Sequence, residues 1–209
     1  MSLGIAGLYA VTPDVTDTLL LCEKARAALA GGARLLQYRN KTATAALRRE
    51  QAGRLHALCR EHGALFIVND DVDLALSVGA DGVHLGRDDG PVDASRARIG
   101  RRMLLGVSCY DSLALADAAL AQGADYIAFG AAFPSRIKPH AVHAGLDLYA
   151  EARARYAAPI VAIGGITVDN APALLAAGVD ALAVISALFD AADVAQAATS
   201  FTALFSRSL

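Results

Sequence analysis

Apolar and polar positions alternate along the chain in two textures. Short β-branched or apolar runs of four to seven residues are each followed by an Ala/Leu/Arg-rich stretch with helical spacing. The runs predict strands at Gly7–Val11, Leu35–Arg39, Leu65–Asn69, Gly82–Leu85, Leu104–Ser108, Tyr126–Phe129, Ile160–Gly164 and Leu182–Ser186. Between them the pattern predicts helices such as Thr44–His62, with Leu47, Leu55 and Leu58 on one stripe, Ser112–Gln122 and Val168–Ala177. Glycine marks most returns from helix to strand, at Gly31-Gly32, Gly63, Gly79, Gly123 and Gly178, where a left-handed residue ends a helix well.

A strand covered on both faces reads as continuously apolar, and Ile160-Val161-Ala162-Ile163 is such a run. Eight evenly spaced βα units with no linker between them predict a single α/β domain over residues 1–209, one closed (β/α)8 TIM barrel. A doubly wound open sheet is the alternative. Surface scaling for 21.6 kDa lets about 70% of the chain's surface be buried, so one core suffices.

Charge and composition narrow the function. With 19 Lys+Arg against 21 Asp+Glu and a net charge of −2, no basic field is available to attract nucleic acid or anionic lipid. Any anion must be held by a few local groups. The three cysteines, Cys22, Cys59 and Cys109, have no C-x-x-C spacing and an odd count, which argues against a disulfide framework and for a reducing cytoplasm. The stretch Met1 to Val11 lacks a signal peptide's positive start, and the apolar window Ala171–Phe189 is interrupted by Pro172, Gly178 and Asp180. No membrane segment is expected, and self-association into a homo-oligomer is left open.

In such a barrel the active site lies where strands end, and polar residues cluster there. Gln37-Tyr38-Arg39-Asn40-Lys41, Asn69-Asp70-Asp71, His84-Leu85-Gly86-Arg87-Asp88-Asp89, Ser108-Cys109-Tyr110-Asp111 and Phe133-Pro134-Ser135-Arg136-Ile137-Lys138 each follow a strand. Structural readings stand beside the chemical ones. Asp70 or Asp71 could cap the helix that follows, and Asp88-Asp89-Gly90-Pro91 is a plain turn sequence. Arg39 and Lys41 could be solvated, Ser108 could cap a helix, and His84 could contact a heterocycle or rest at the rim. Carboxylates and cations around one mouth point to Mg2+ held by one or two carboxylates, with a diphosphate completing its shell. Ala162-Ile163-Gly164-Gly165-Ile166 and Val184-Ile185-Ser186-Ala187 fit a separate phosphate pocket. Two phosphorylated small-molecule substrates follow. No nucleophile and base pair is evident, since Cys109 has no activating partner, and His140-x-x-His143 lacks a third metal ligand.

The segments Gly7-Leu8-Tyr9-Ala10-Val11-Thr12-Pro13, Gln37-Tyr38-Arg39-Asn40-Lys41, Asn69-Asp70-Asp71-Val72-Asp73-Leu74-Ala75, Ala80-Asp81-Gly82-Val83-His84-Leu85-Gly86 and Ala162-Ile163-Gly164-Gly165-Ile166, in that order, resemble the thiamine-phosphate synthase family across nearly the whole chain. The resemblance implies condensation of hydroxymethylpyrimidine diphosphate with hydroxyethylthiazole phosphate, through a dissociative displacement assisted by magnesium. It implies Asp70 and Asp89 as metal ligands, and Arg39, Lys41, Asn69, Ser108 and Lys138 as diphosphate contacts. It further implies Gln37 and His84 near the pyrimidine, Ser135 at the thiazole substrate, and Gly165, Ile185 and Ser186 around its phosphate. Ile137 stands where that family usually has a hydroxyl residue, and Arg87-Asp88 where it usually has Gln-Glu; weaker thiazole binding is the expected consequence. The competing readings are a related thiazole tautomerase, a sugar-phosphate isomerase or epimerase on the same fold, and a non-catalytic thiazole- or thiamine-phosphate binding module.

Overall fold

The computed structural model describes residues 4–134 and 143–206. Eight parallel strands close into a barrel in chain order: β1 (Gly7–Val11), β2 (Leu35–Tyr38), β3 (Leu65–Asn69), β4 (Gly82–Leu85), β5 (Leu104–Tyr110), β6 (Tyr126–Phe129), β7 (Ile160–Ile163) and β8 (Ala181–Val184), with β8 pairing back onto β1. The helices are α1 (Thr18–Ala30), α2 (Ala45–His62), α3 (Val72–Val78), α4 (Val92–Ile99), α5 (Leu113–Ala121), α6 (Leu146–Arg155), α7 (Ala171–Ala176), the short α8 (Ser186–Phe189) and α9 (Val194–Phe205). The TIM barrel expected from the sequence is therefore present, and the open sheet is excluded by the β1–β8 ladder.

Strand alternation divides the core into two. Leu8, Leu36, Phe66, Val83, Leu105, Ile127 and Leu182 point outward against the helices, while Tyr9, Leu35, Ile67, Tyr126, Val161 and Ala183 fill the interior of the barrel. A side chain buried as fully as Leu36 or Phe66 contributes about 1.5–3 kcal/mol relative to exposure. Because both faces are buried, the strands read as apolar throughout, and the polar residues that interrupt them stand at inward positions near their C-terminal ends.

Several element boundaries differ from the sequence reading for local reasons. The β2 strand stops at Tyr38, because the Arg39 amide and carbonyl turn to the Thr12 hydroxyl, each at 2.9 Å. The β5 strand runs two residues further, to Tyr110, across an irregularity in its pairing with β6. The α7 helix begins at Ala171 rather than Val168, since Thr167 and Asn170 bond to each other in a turn, Asn170 Oδ1 accepting the Thr167 amide at 2.8 Å.

The end of the barrel opposite the mouth is closed by a device that recurs before alternate strands. Asp81, Asp125 and Asp180 each precede a strand and accept the backbone N–H of Phe66, Leu105 and Ile160 in the strand before, at 2.8, 2.7 and 2.7 Å. In sequence these are Gly79-Ala80-Asp81, Gly123-Ala124-Asp125 and Gly178-Val179-Asp180. Arg96 and Arg153 pair with the second and third of these carboxylates. At the matching place before β2 the chain has Gly32-Ala33-Arg34, with no carboxylate.

Candidate active site

The C-terminal ends of β2, β3, β4 and β5 bring most of the candidate residues together. The loop after β2 is held by a buried amide network. Asn40 Nδ2 and Gln51 Nε2 both donate to the Val15 carbonyl, at 2.8 and 2.9 Å, and Gln51 Oε1 accepts from the Tyr38 hydroxyl at 2.9 Å. Asn40 Oδ1 also receives the Ala43 amide at 3.1 Å. Arg39 and Lys41 flank this anchored residue. Asp14 Oδ1 accepts from Arg39 Nη1 at 3.1 Å and from the Lys41 backbone amide at 2.9 Å, so one carboxylate sets the course of both cationic residues.

At the end of β3 the two neighbouring aspartates separate in role. Asp71 is the cap of α3, its Oδ1 accepting the Leu74 amide at 2.8 Å. Asp70 has φ +65°, a left-handed conformation, and meets Lys41 Nζ at 3.4 Å. A half-exposed pair of this kind is worth at most about 1 kcal/mol. Partial burial raises the Asp70 carboxyl above its ordinary value, and Asp89 close by raises it further, while Lys41 lowers it. Lys41, Asn69 and Asp70 line the same small polar depression with Asn40 and Asp71.

Asp89 belongs to the turn after β4, as its sequence suggests, and uses Oδ2 to accept the Gly86 amide at 2.7 Å. The turn reading and the ligand reading are thus compatible, because one oxygen shapes the loop while the carboxylate faces Asp70. Arg87 stacks over the Tyr110 ring, 4.5 Å from its centroid. A pair of neighbouring carboxylates, one resisting ionisation because of its burial and of the other beside it, fits a hard divalent cation that oxygen ligands from a phosphate would complete. Among the described residues there is no group of three His, Cys, Asp or Glu side chains that could hold a metal by itself.

Gln37 and His84 are buried inward-facing residues of β2 and β4. Gln37 Nε2 donates to Tyr9 Oη at 2.8 Å, and His84 lies between the Tyr126 and Ser108 hydroxyls, 3.2 Å from the first through Nδ1 and 2.8 Å from the second through Nε2. Burial pushes the His84 imidazole down to about 4, so at neutral pH it is uncharged. Ser108 lies within β5 and caps nothing; Ser112 caps α5 instead, accepting the Leu115 amide at 3.3 Å. Cys109 is buried and its thiol is pushed up to about 12, the opposite of a nucleophile's shift.

On the far side of the mouth, Gly164 and Gly165 follow β7 with φ of +98° and +64°. Their carbonyls and that of Ile163 are occupied: Ala132 N donates to Ile163, Phe133 N to Gly164, and Asn170 Nδ2 to Gly165, at 2.9, 3.1 and 3.0 Å. A Cβ on Gly165 would stand 2.5 Å from the Phe133 carbonyl oxygen, so the turn requires glycine on conformational and steric grounds alike. Ile185 and Ser186 follow β8 directly, Ser186 opening the four-residue α8 with no side-chain cap. Ser135, Ile137, Lys138 and His140 lie outside the described residues, and His143 is exposed. Asp14, Tyr9 and Tyr126 were not singled out from the sequence as site residues. No local signal marks them, because their partners are 25 to 117 residues away.

Three comparisons bear on this arrangement. The family model described as thiamine monophosphate synthase matches residues 8–188. The chain is 59% identical over 201 residues to a thiamine-phosphate synthase of Chromobacterium violaceum, covering 96% of this chain and 97% of that one. It is 55% identical over 203 residues to a thiamine-phosphate synthase of Thioalkalivibrio sulfidiphilus, covering 96% of each. A solved thiamine phosphate pyrophosphorylase from Pyrococcus furiosus superposes with a TM-score of 0.89 at 39% identity, covering 99% of this chain and 98% of that one.

Proposed function

The chain belongs to the thiamine monophosphate synthase family, and from that premise we propose that it is the transferase joining 4-amino-2-methyl-5-hydroxymethylpyrimidine diphosphate to hydroxyethylthiazole phosphate, with release of diphosphate and formation of thiamine phosphate. The observation that carries the reading is the Asp70–Asp89 carboxylate pair with Lys41 on one of its members, beside a clamped Arg39. A metal-diphosphate site needs this set, whereas a tautomerase or an isomerase does not.

Asp70 and Asp89 are the proposed magnesium ligands. When bound, the metal supplies charge neutralisation for the diphosphate as it leaves. Arg39, Lys41 and Lys138 add positive charge around the diphosphate, and Asn69 and Ser108 give it hydrogen bonds. Gln37 and His84 lie along the pyrimidine, and neutral His84 meets it as an uncharged partner. The bond between the methylene carbon and the diphosphate oxygen breaks with its electron pair going to diphosphate. The aminopyrimidine stabilises the resulting methylene cation, and the thiazole nitrogen captures it. No protein nucleophile is required, in keeping with the inert Cys109. Ser135 is assigned to the thiazole substrate, and Gly165, Ile185 and Ser186 to its phosphate. Preorganised charge at the leaving group and placement of the second substrate supply the acceleration. One barrel over residues 1–209 holds the whole site, working on small molecules in the cytoplasm.

The test is to mix the protein with both substrates and magnesium, with and without chelator, and to quantify thiamine phosphate after oxidation to its fluorescent form. Product that disappears with chelator is expected; its absence from folded protein would remove the assignment. Asp89→Ala is expected to lose at least about 100-fold in kcat/KM. An active variant with ordinary magnesium dependence would take Asp89 out of the site.

A further inference from the structure

Five polar side chains from five strands form one line across the inside of the barrel: Gln37, Tyr9, Tyr126, His84 and Ser108. Successive heavy-atom separations are 2.8 Å from Gln37 Nε2 to Tyr9 Oη, 3.0 Å to Tyr126 Oη, 3.2 Å to His84 Nδ1, and 2.8 Å from His84 Nε2 to Ser108 Oγ. The Tyr126 ring stacks on the His84 imidazole at 5.6 Å. Its place is reserved by Gly106 of β5, where a Cβ would stand 2.0 Å from Tyr126 Cζ. The glycine thus leaves room for the ring to lie against His84.

The protons on this line can be assigned by accounting for each one. Gln37 Nε2 can only donate, so Tyr9 Oη accepts at that end. Among the described residues Tyr9 Oη has no hydrogen-bond partner besides Gln37 and Tyr126, and both phenols are buried, so a Tyr9 proton not given to Tyr126 would have no acceptor there. Tyr9 therefore donates to Tyr126. The Tyr126 proton then goes to His84 Nδ1. An imidazole whose Nδ1 accepts carries its single proton on Nε2, which donates to Ser108 Oγ. Each of the four hydrogen bonds of the line thus has one proton, and the Ser108 proton remains for an acceptor outside the line.

We propose that Tyr126 is a positioning residue that fixes His84 as its Nε2–H tautomer and so makes the Ser108 hydroxyl a dedicated donor to the departing diphosphate. The inference rests on the reading above in which Ser108 faces the diphosphate. With Ser108 already accepting from His84, its free O–H can only donate outward, which suits an oxygen gaining negative charge. Gln37 Oε1 remains an acceptor at the opposite end, so the line offers a ligand an acceptor at one end and a donor at the other.

The test uses ring 15N NMR of His84 in ligand-free protein, together with steady-state kinetics. Wild type is expected to show the Nε2–H tautomer alone, with Nδ1 a hydrogen-bonded acceptor. Tyr126→Phe keeps the ring in the space beside Gly106 and is expected to give an unbonded Nδ1 signal with a mixture of tautomers. It should lower kcat about tenfold and leave the KM for thiazole phosphate unchanged. Adding Ser108→Ala to Tyr126→Phe should cost much less than Ser108→Ala alone, because the two act in series. An Nδ1–H tautomer in wild type, or wild-type kcat in Tyr126→Phe while Ser108→Ala is impaired, would overturn the proposal. Full activity in Ser108→Ala would overturn the Ser108 assignment and the catalytic half of the proposal, while the tautomer result would still bear on the line itself. Failure of the proposed function would show separately, as absence of thiamine phosphate from wild type.

Discussion

Asp14 has no assigned contact with either substrate, yet Arg39 and Lys41 both depend on it, one through its guanidinium and the other through its backbone amide. A charge-assisted hydrogen bond is worth roughly 1.5–3 kcal/mol, and two of them converge on one oxygen. Asp14→Ala is therefore expected to raise the KM for the pyrimidine diphosphate about tenfold and to leave the KM for the thiazole phosphate unchanged. Steady-state kinetics with each substrate varied in turn would check this, and equal effects on both would show that Asp14 does not act through the cations. At this scale the sequence was informative about chemical type and less so about which neighbour does what. It offered Asp70 or Asp71 as the cap, and only the backbone decides: Asp71 reaches the Leu74 amide, and left-handed Asp70 turns to Lys41. Arg87 stacks on Tyr110. That contact was hidden from the sequence because it joins different strand ends.

Elements were legible wherever local chemistry ends them. The α2 helix begins after Thr44, whose hydroxyl accepts the Leu47 amide, and ends at left-handed Gly63, both readable from residue type. Strand ends proved harder, because they are set by partners elsewhere: Thr12 takes Arg39 out of β2. The Gly-x-Asp motifs before β4, β6 and β8 are also visible along the chain, but their function is a strand-to-strand clamp that only the barrel shows. Conserving strand pairing at the barrel end away from the mouth serves stability rather than turnover. Asp180→Ala removes the acceptor for the Ile160 amide and the partner of Arg153. It is expected to cost about 1–3 kcal/mol, lowering Tm by roughly 2–4 °C for each kcal/mol, with kcat/KM unchanged. Calorimetry and assay of the same preparation would check it, and lost activity with an unchanged Tm would contradict the clamp.

The molecule as a whole separates its two ends, with stability at one and charge chemistry at the other, and buried His84 lies between them. Its imidazole is ordinarily half-protonated near 6.5 but is held down to about 4 in the fold, so between those values the unfolded chain binds a proton that the folded chain refuses. Stability from this group is fully present above pH 6.5 and is lost as pH falls toward 4, by up to about 3 kcal/mol. Asp70 acts in the opposite sense, since its raised value favours the fold as pH falls. Urea midpoints of wild type and His84→Gln from pH 7.5 to 4.5 would separate the two, and identical slopes would remove His84 as a cause. Among the described residues no helix is long and apolar enough to cross a membrane. The aspartate clamps divide this closed ring unequally: they join β3 to β4, β5 to β6 and β7 to β8, and none joins β4 to β5 or β6 to β7. A circular permutant opened in the α4 or α6 connection keeps every clamp within an unbroken stretch of chain, whereas one opened in the α5 connection puts its two new termini on either side of a clamp. The same three carboxylates that finish the barrel thus divide the cuts that leave every clamp in one stretch from those that split one.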